Sequence, residues 1–223
     1  CYTLLNGEQR SLTPCFVVGL LDETVHIQAE GLVKFVCARL YPWGFYQLFG
    51  DWAQKPALGL RLTNSAFDDE AVHIEAQLNT NRDSAIQALQ HFLIENALKV
   101  TLQEPELIYA AQQILDQKGN LNLDNLAAKT NFSIRTLRRK FAHVIGLAPK
   151  SLARTARFET VREALWQNPD ADLADVALST GYADQAHMQR EFRQFSGRTP
   201  RQFAAEMHVA RQKMSQSVVR NIQ

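Results

Sequence analysis

The feature that most constrains this chain is a duplication in its C-terminal half. Residues 122–152 read NLDNLAAKTNFSIRTLRRKFAHVIGLAPKSL, and residues 172–203 read DLADVALSTGYADQAHMQREFRQFSGRTPRQF. Leu126-Ala127 matches Val176-Ala177 and Phe132 matches Tyr182, each at an offset of 50. Leu137 matches Met188, Phe141 matches Phe192, Gly146 matches Gly197 and Pro149 matches Pro200, each at an offset of 51. The single slip places one extra residue of the second copy in a turn or at the start of the helix that follows. A repeat of this length is one supersecondary unit used twice, so this half is read as two similar pieces joined by a connector.

Each copy has the grammar of a helix-turn-helix. A first apolar helix carries a small Ala (Ala127, Ala177) that lets the next helix cross closely. Asn131 and Gly181 mark the turn, both residue types that tolerate positive φ. Ser133 and Asp184 are placed to cap the second helix. In that helix Leu137 and Phe141, or Met188, Phe192 and Phe195, form the face to be buried. The opposite face is cationic: Arg135, Arg138 and Arg139 stand at i, i+3 and i+4 in the first copy and share one side. In the second copy Gln185, His187, Arg190 and Arg193 surround the exposed side. Between Asp124 and Glu159 there is no acidic residue, and eight Lys/Arg occur there.

Charge divides the chain the same way. Residues 1–119 hold eight Lys/Arg against fourteen Asp/Glu, a net of −6, whereas residues 120–223 hold sixteen against nine, a net of +7. An acidic half joined to a basic half implies two domains, the second with a polyanionic partner. A charge run alone is ordinarily a solvated helix face; the duplication and turn spacing are what tilt it toward recognition. Arg reads guanine bidentately in the major groove and Gln can read adenine. Lys140, Lys150 and Arg154 are assigned to phosphates, giving affinity rather than sequence choice.

The motif Gly181-Tyr182-Ala183-Asp184-Gln185-Ala186-His187, continued by Arg190-Glu191-Phe192 and by Gly197 and Pro200, resembles the signature of AraC/XylS-type bacterial transcription regulators. Phe132-Ser133 with Leu137 and Phe141 resembles their first helix-turn-helix. The resemblance covers about residues 120–207. It implies seven helices, with a long linker helix at about Leu152–Asn168, and insertion of both recognition helices into successive major-groove segments on one DNA face. By position, the DNA-contacting set is Arg135, Thr136, Arg138, Arg139, Lys140, Lys150, Arg154, Gln185, Ala186, His187, Arg190 and Arg193. Ala186 offers only a methyl group. Double-stranded promoter DNA, RNA polymerase, a small-molecule effector and a second copy of the chain are the partners this implies, in the cytoplasm.

The first half is read as a small antiparallel sheet with helices. Runs 15–21, 25–29 and 33–40 are strand-like in β-branched, aromatic or alternating content. Phe45–Phe49 starts a short helix, no element is assigned between Lys55 and Asn81, and helices follow from Asp83 and over Glu106–Gln117. Ala29–Val33 and Arg39–Gly44 are similar, more weakly, to the sensory domain of one AraC subgroup, usually a small effector-binding barrel. The chain opens on Cys1 rather than Met, which leaves room for a missing start to that domain. The fold expected is α+β, mainly α. A partial antiparallel β domain (1–100) and a connecting helix (101–119) precede an all-α domain (120–223). That domain holds helix-turn-helix units at about 122–146 and 172–197, joined by the linker helix.

Other chemistries find little support. Composition is that of an ordinary globular protein, 46% hydrophobic and 21% charged. Cys1, Cys15 and Cys37 are odd in number without a CxxC spacing, which fits a reducing compartment. No apolar run approaches the roughly 20 residues that span a bilayer, and no signal-peptide pattern appears. The six histidines show no HExxH or i, i+4 pair. Asp68-Asp69-Glu70, His73 and Glu75 are read as a solvated loop rather than a metal site. Tyr41, Trp43, Phe45, Tyr46, Phe49 and Trp52, with Trp166, are assigned to core or interface. Neither a catalytic residue nor a cofactor nor a metal is expected. Two rival readings are an enzyme-like or sensor first domain with a protein-interacting helical half, and RNA binding, which favours exposed stacking aromatics.

Overall fold

A computed structural model describes residues 2–5, 8–11, 15–18, 26–28, 33–49, 60–62 and 67–209. The chain falls into two compact units, neither a continuous run. One comprises Cys1–Leu21, Val25–Tyr109 and Ala127–Ala148; the other comprises Asp22–Thr24, Ala110–Leu126 and Pro149–Gln223.

In the first unit, β1 (Tyr2–Leu5) lies between β2 (Glu8–Ser11) and β4 (His26–Gln28), antiparallel to both. Its register pairs Thr3 with Arg10 on one side and with Ile27 on the other. β3 (Phe16–Val18) pairs antiparallel with β5 (Leu60–Leu62), Val17 opposite Arg61. The strand expected over 33–40 is absent: this segment has no regular structure, and Val33 and Phe35 are exposed. β-branched residues favour a pleated surface only where a ladder and an apolar face receive them, and 33–40 has neither. Cys1, part of the strand runs 15–21 and 25–29, and Trp52 lie outside the described residues.

Helix α1 (Gly44–Phe49) appears where the aromatic run predicts it. α2 (Asp68–Thr80) occupies the carboxylate-rich stretch read as a loop. Its composition is helix-forming in retrospect: acidic residues lead, complementing the positive helix start, and Ala, Glu, Gln and Leu follow. α3 (Arg82–Leu98) begins at Asn81, whose side chain accepts the Asp83 N–H at 2.8 Å. Phe49, Phe67 and Phe92 join α1 and α3 in a three-ring cluster with centroids 5.0–6.0 Å apart. The aromatic crowd of the first half is therefore partly core; Trp43 is buried and Tyr41, stacked on it, is exposed.

From residue 120 to 209 there are six helices, and the seven that the resemblance implies are reached only by counting the helix over 105–116, which lies before that region. α4 (Pro105–Asp116) buries Leu107, Ala110, Ala111 and Ile114 and stops at Gly119, whose φ of +77° suits a glycine. α5 (Leu123–Lys129) and α6 (Ile134–Val144) form the first copy. α7 (Pro149–Gln167) is the connector and α8 (Leu173–Ser179) and α9 (Gln185–Ser196) form the second, followed by a helix over 200–209. The connector starts three residues earlier than Leu152 because Pro149 takes its first turn, where a missing N–H is no loss. Trp166 is half-buried rather than fully core. No helix among the described residues is long and apolar enough to cross a membrane.

Candidate nucleic-acid interface

The turn of the first copy is closed by Asn131 at φ +55°, with the Phe132 N–H donating to the Ala127 carbonyl at 3.1 Å. The second copy repeats this with Gly181 at φ +81° and the Tyr182 N–H on the Ala177 carbonyl at 3.0 Å. A side chain at Gly181 would be strained at this φ, and its Cβ, 1.8 Å from Asn120 Oδ1, would also push the Asn120 side chain aside. Ser133 Oγ then accepts the Thr136 N–H at 3.1 Å, and Asp184 Oδ1 accepts the His187 N–H at 2.6 Å. The caps are 51 apart while the turn residues are 50 apart, so the extra residue of the second copy sits in the turn, between Tyr182 and Asp184.

Beyond the caps, Leu137, Phe141 and Val144 are buried in α6, and Arg135, Arg138 and Arg139 are exposed. These three guanidinium groups make no hydrogen bond or ion pair with the described residues. Thr136 is half-buried and lies 2.9 Å from Ser133 Oγ, so it belongs to the cap. Lys140 is not a free cation: its Nζ donates to both carboxylate oxygens of Glu104, at 2.5 and 2.6 Å, and sits 5.4 Å above the Phe132 ring.

In α9, Met188 and Phe192 are buried, while Gln185, Ala186, Arg190 and Arg193 are exposed. His187 is half-buried, its ring edge-on to Tyr182 at 5.3 Å. Phe195 is half-buried and stacks on Phe158 at 5.1 Å. Glu191 is only 7% exposed and turns inward. It accepts from Arg154 Nε at 2.8 Å and from the Tyr182 hydroxyl at 2.9 Å, and lies 3.6 Å from an Arg157 nitrogen. Burial, and then the Glu191 carboxylate, hold the Tyr182 hydroxyl well above its ordinary pKa, so it remains a donor.

That network absorbs one predicted phosphate ligand. Arg154 also donates to Gln194 at 2.7 Å and lies 5.3 Å from the Phe195 ring centre. Arg157 donates to the Gly119 carbonyl at 2.9 Å and lies over the Tyr182 ring at 5.4 Å. Its buried Nε has no partner among the described residues. The expected phosphate set thus retains exposed Lys150, whereas Lys140 and Arg154 are engaged internally. An open groove of about 620 Å³ borders Lys150, Arg154, Arg157 and His187, with Asp124 and Glu191 also on its wall.

Sequence reasoning missed Glu104, Glu191 and Arg157. A signal existed for Glu191: it falls three residues after Met188 and one before Phe192, on the apolar stripe. Nothing local marks Glu104.

A family model described as a helix-turn-helix domain matches residues 126–206. The chain therefore carries a helix-turn-helix domain over these residues. Its relatives include the HTH-type transcriptional regulator MtrA of Neisseria gonorrhoeae, 29% identical over 105 residues, 47% of this chain and 35% of that protein. An uncharacterized HTH-type transcriptional regulator of Haemophilus influenzae is 30% identical over 117 residues, 52% of this chain and 39% of the relative. The chain therefore spans well under half the length of these curated relatives. Among solved structures, the C-terminal domain of AraT, a response regulator from Geobacillus stearothermophilus, is 23% identical. That match has a TM-score of 0.44 and covers 48% of this chain and 88% of the other. The matched region begins inside α5 and ends in the helix over 200–209, so it takes in most of the first copy, the connector and the second copy.

Proposed function

We propose that the chain is a sequence-specific, double-stranded-DNA-binding transcription regulator of the AraC type, acting by equilibrium binding without covalent chemistry. The observation that carries this reading is the pair of capped second helices with outward cations: Arg135, Arg138 and Arg139 on α6, and Arg190 and Arg193 beside Gln185 on α9. Such helices present side chains to base edges in the major groove, and the names of the relatives are consistent with it. Lys150 at the start of α7 supplies a phosphate contact. The domain from about residue 120 is the DNA-binding part and residues 1–100 the regulatory part. A small-molecule effector, RNA polymerase and a second copy of the chain are its further partners, and the cytoplasm is its compartment.

Two recognition helices in one chain with the same polarity favour an asymmetric site whose halves are about 34 Å apart, one turn of B-DNA. Selection from random duplex DNA tests this. An enriched asymmetric site of about 20 bp is expected. A palindrome would mean that dimerisation sets the spacing, and no enrichment over competitor RNA would remove the reading.

A further inference from the structure

The segment between α3 and α4 is an unusual place to find a polar node. Glu104 has a φ of +55°, a left-handed conformation that residues with a Cβ rarely adopt. It precedes Pro105, which normally drives its predecessor to extended backbone. Its carbonyl accepts the Leu107 and Ile108 N–H groups at 3.0 and 3.1 Å, so the main chain caps α4. The side chain is thereby left for another task, and it takes Lys140 of α6 in a two-oxygen grip. The neighbouring residue is held just as firmly. Gln103 N–H donates to Gln47 Oε1 at 3.0 Å, and Gln47 Nε2 donates back to the Gln103 carbonyl at 2.8 Å. Tyr46, next to Gln47 on α1, meets His143 of α6 edge-on at 5.9 Å.

α6 is therefore tied to the chain before α4 at Lys140 and to α1 at His143. A strained backbone that persists is over-determined by its surroundings, and such strain gathers at switches and clamps. A carboxylate with both oxygens on one ammonium occupies the cation that a DNA phosphate would take. Lysine is a compact point charge, so two anions cannot share it at full strength.

We propose that Glu104 is a built-in competitor for backbone phosphate at Lys140 and sets the DNA affinity of the first recognition helix. The inference rests on the DNA-binding reading above. Binding of duplex DNA displaces Glu104 from Lys140, and whatever holds residues 103–104 in place against α1 opposes binding by the same coupling.

Titration of duplex DNA with the full chain across salt tests it. Glu104→Gln should bind about three- to tenfold tighter at low salt, with a salt slope steeper by about one, the signature of one more neutralised phosphate. Glu106→Gln, the same charge change two residues away on an exposed position, should stay within about twofold of the parent. Adding Lys140→Gln to Glu104→Gln should return affinity to within about twofold of Lys140→Gln alone. A folded Glu104→Gln protein with parental affinity and slope overturns the proposal. So does a gain that Glu106→Gln equals, or one that survives loss of Lys140.

If Glu104→Gln melts far below the parent, the parent itself decides. Acylation of Lys140 by an amine-reactive ester, followed by mass spectrometry, should run several-fold slower than at exposed Lys150. Equal rates overturn the contact. A parent that binds no duplex DNA removes the regulator reading, while the acylation arm still reports on the grip itself.

Discussion

The two copies of the repeat share a backbone plan and differ in what their polar residues are used for. In the first, the arginines of α6 face outward with no ion pair among the described residues, and Lys140 meets Glu104 at a half-buried position, 26% and 31% accessible. In the second, the most charged cluster is internal. Glu191, Arg154, Arg157 and Tyr182 bind α9 to α7 and, through Gly119, to the end of α4. Glu191 and Asp184 therefore add no free negative charge to the outer face of α9 among the described residues: one is buried and paired, and the other caps the helix. Net charge along such a helix is thus a poor guide to its outer face. The first copy exposes its charge, and the second invests part of it in holding its own geometry.

The comparison breaks most severely at the shared core. Phe141→Ala and Phe192→Ala remove rings of nearly zero exposure and should each cost about 3–5 kcal/mol. Chemical denaturation would show unequal costs if one copy is the less tightly packed.

The buried network should separate the copies next. Glu191→Ala removes the carboxylate shared by Arg154, Tyr182 and Arg157, and should cost about 2–3 kcal/mol, below the figure for a fully buried pair because Arg154 is partly solvated and Arg157 keeps the Gly119 carbonyl. Glu104→Gln should cost under about 1 kcal/mol, as expected of a half-exposed pair. Equal losses in thermal melts of the two variants would erase the contrast.

For recognition, Arg139→Ala and Arg190→Ala should each lose about 1–3 kcal/mol on the selected site and relax specificity at one base pair. Lys150→Ala should instead weaken specific and random duplexes alike and flatten the salt slope by about one. Losses that are the same on specific and random DNA for either arginine variant would move that residue to the phosphate class.

The smallest effect is at the caps. Ser133→Ala and Asp184→Ala should each cost about 1 kcal/mol. Asp184→Asn, which keeps an accepting oxygen, should recover most of the Asp184→Ala loss. A melt no higher than that of Asp184→Ala would mean that the charge of Asp184, rather than its oxygen, holds the cap.

Much of this is visible in the residues themselves. Asn131 and Gly181 announce the turns, Ser133 and Asp184 the helix starts, and Leu137, Phe141, Met188 and Phe192 the buried stripe, because each depends on local backbone geometry or on a 3.6-residue period. The strand expected over 33–40 fails for the opposite reason: a strand exists through a partner elsewhere in the chain. α2 is hard to see in the sequence because Asp68-Asp69-Glu70 has the composition of a turn and the helix it opens carries no strong apolar stripe.

The duplication, taken alone, settled that the C-terminal half is two capped helix-turn-helix units with cationic second helices. Those are properties of spacing, and spacing is written in the chain. Which cations remain available was decided only in three dimensions. Lys140, Arg154 and Arg157 look like Arg138 or Lys150 in the sequence, yet Glu104 stands 36 residues from Lys140, and Glu191 stands 37 from Arg154. An ion pair depends on distance through space and on the loss of water around it, and neither quantity has a local signature.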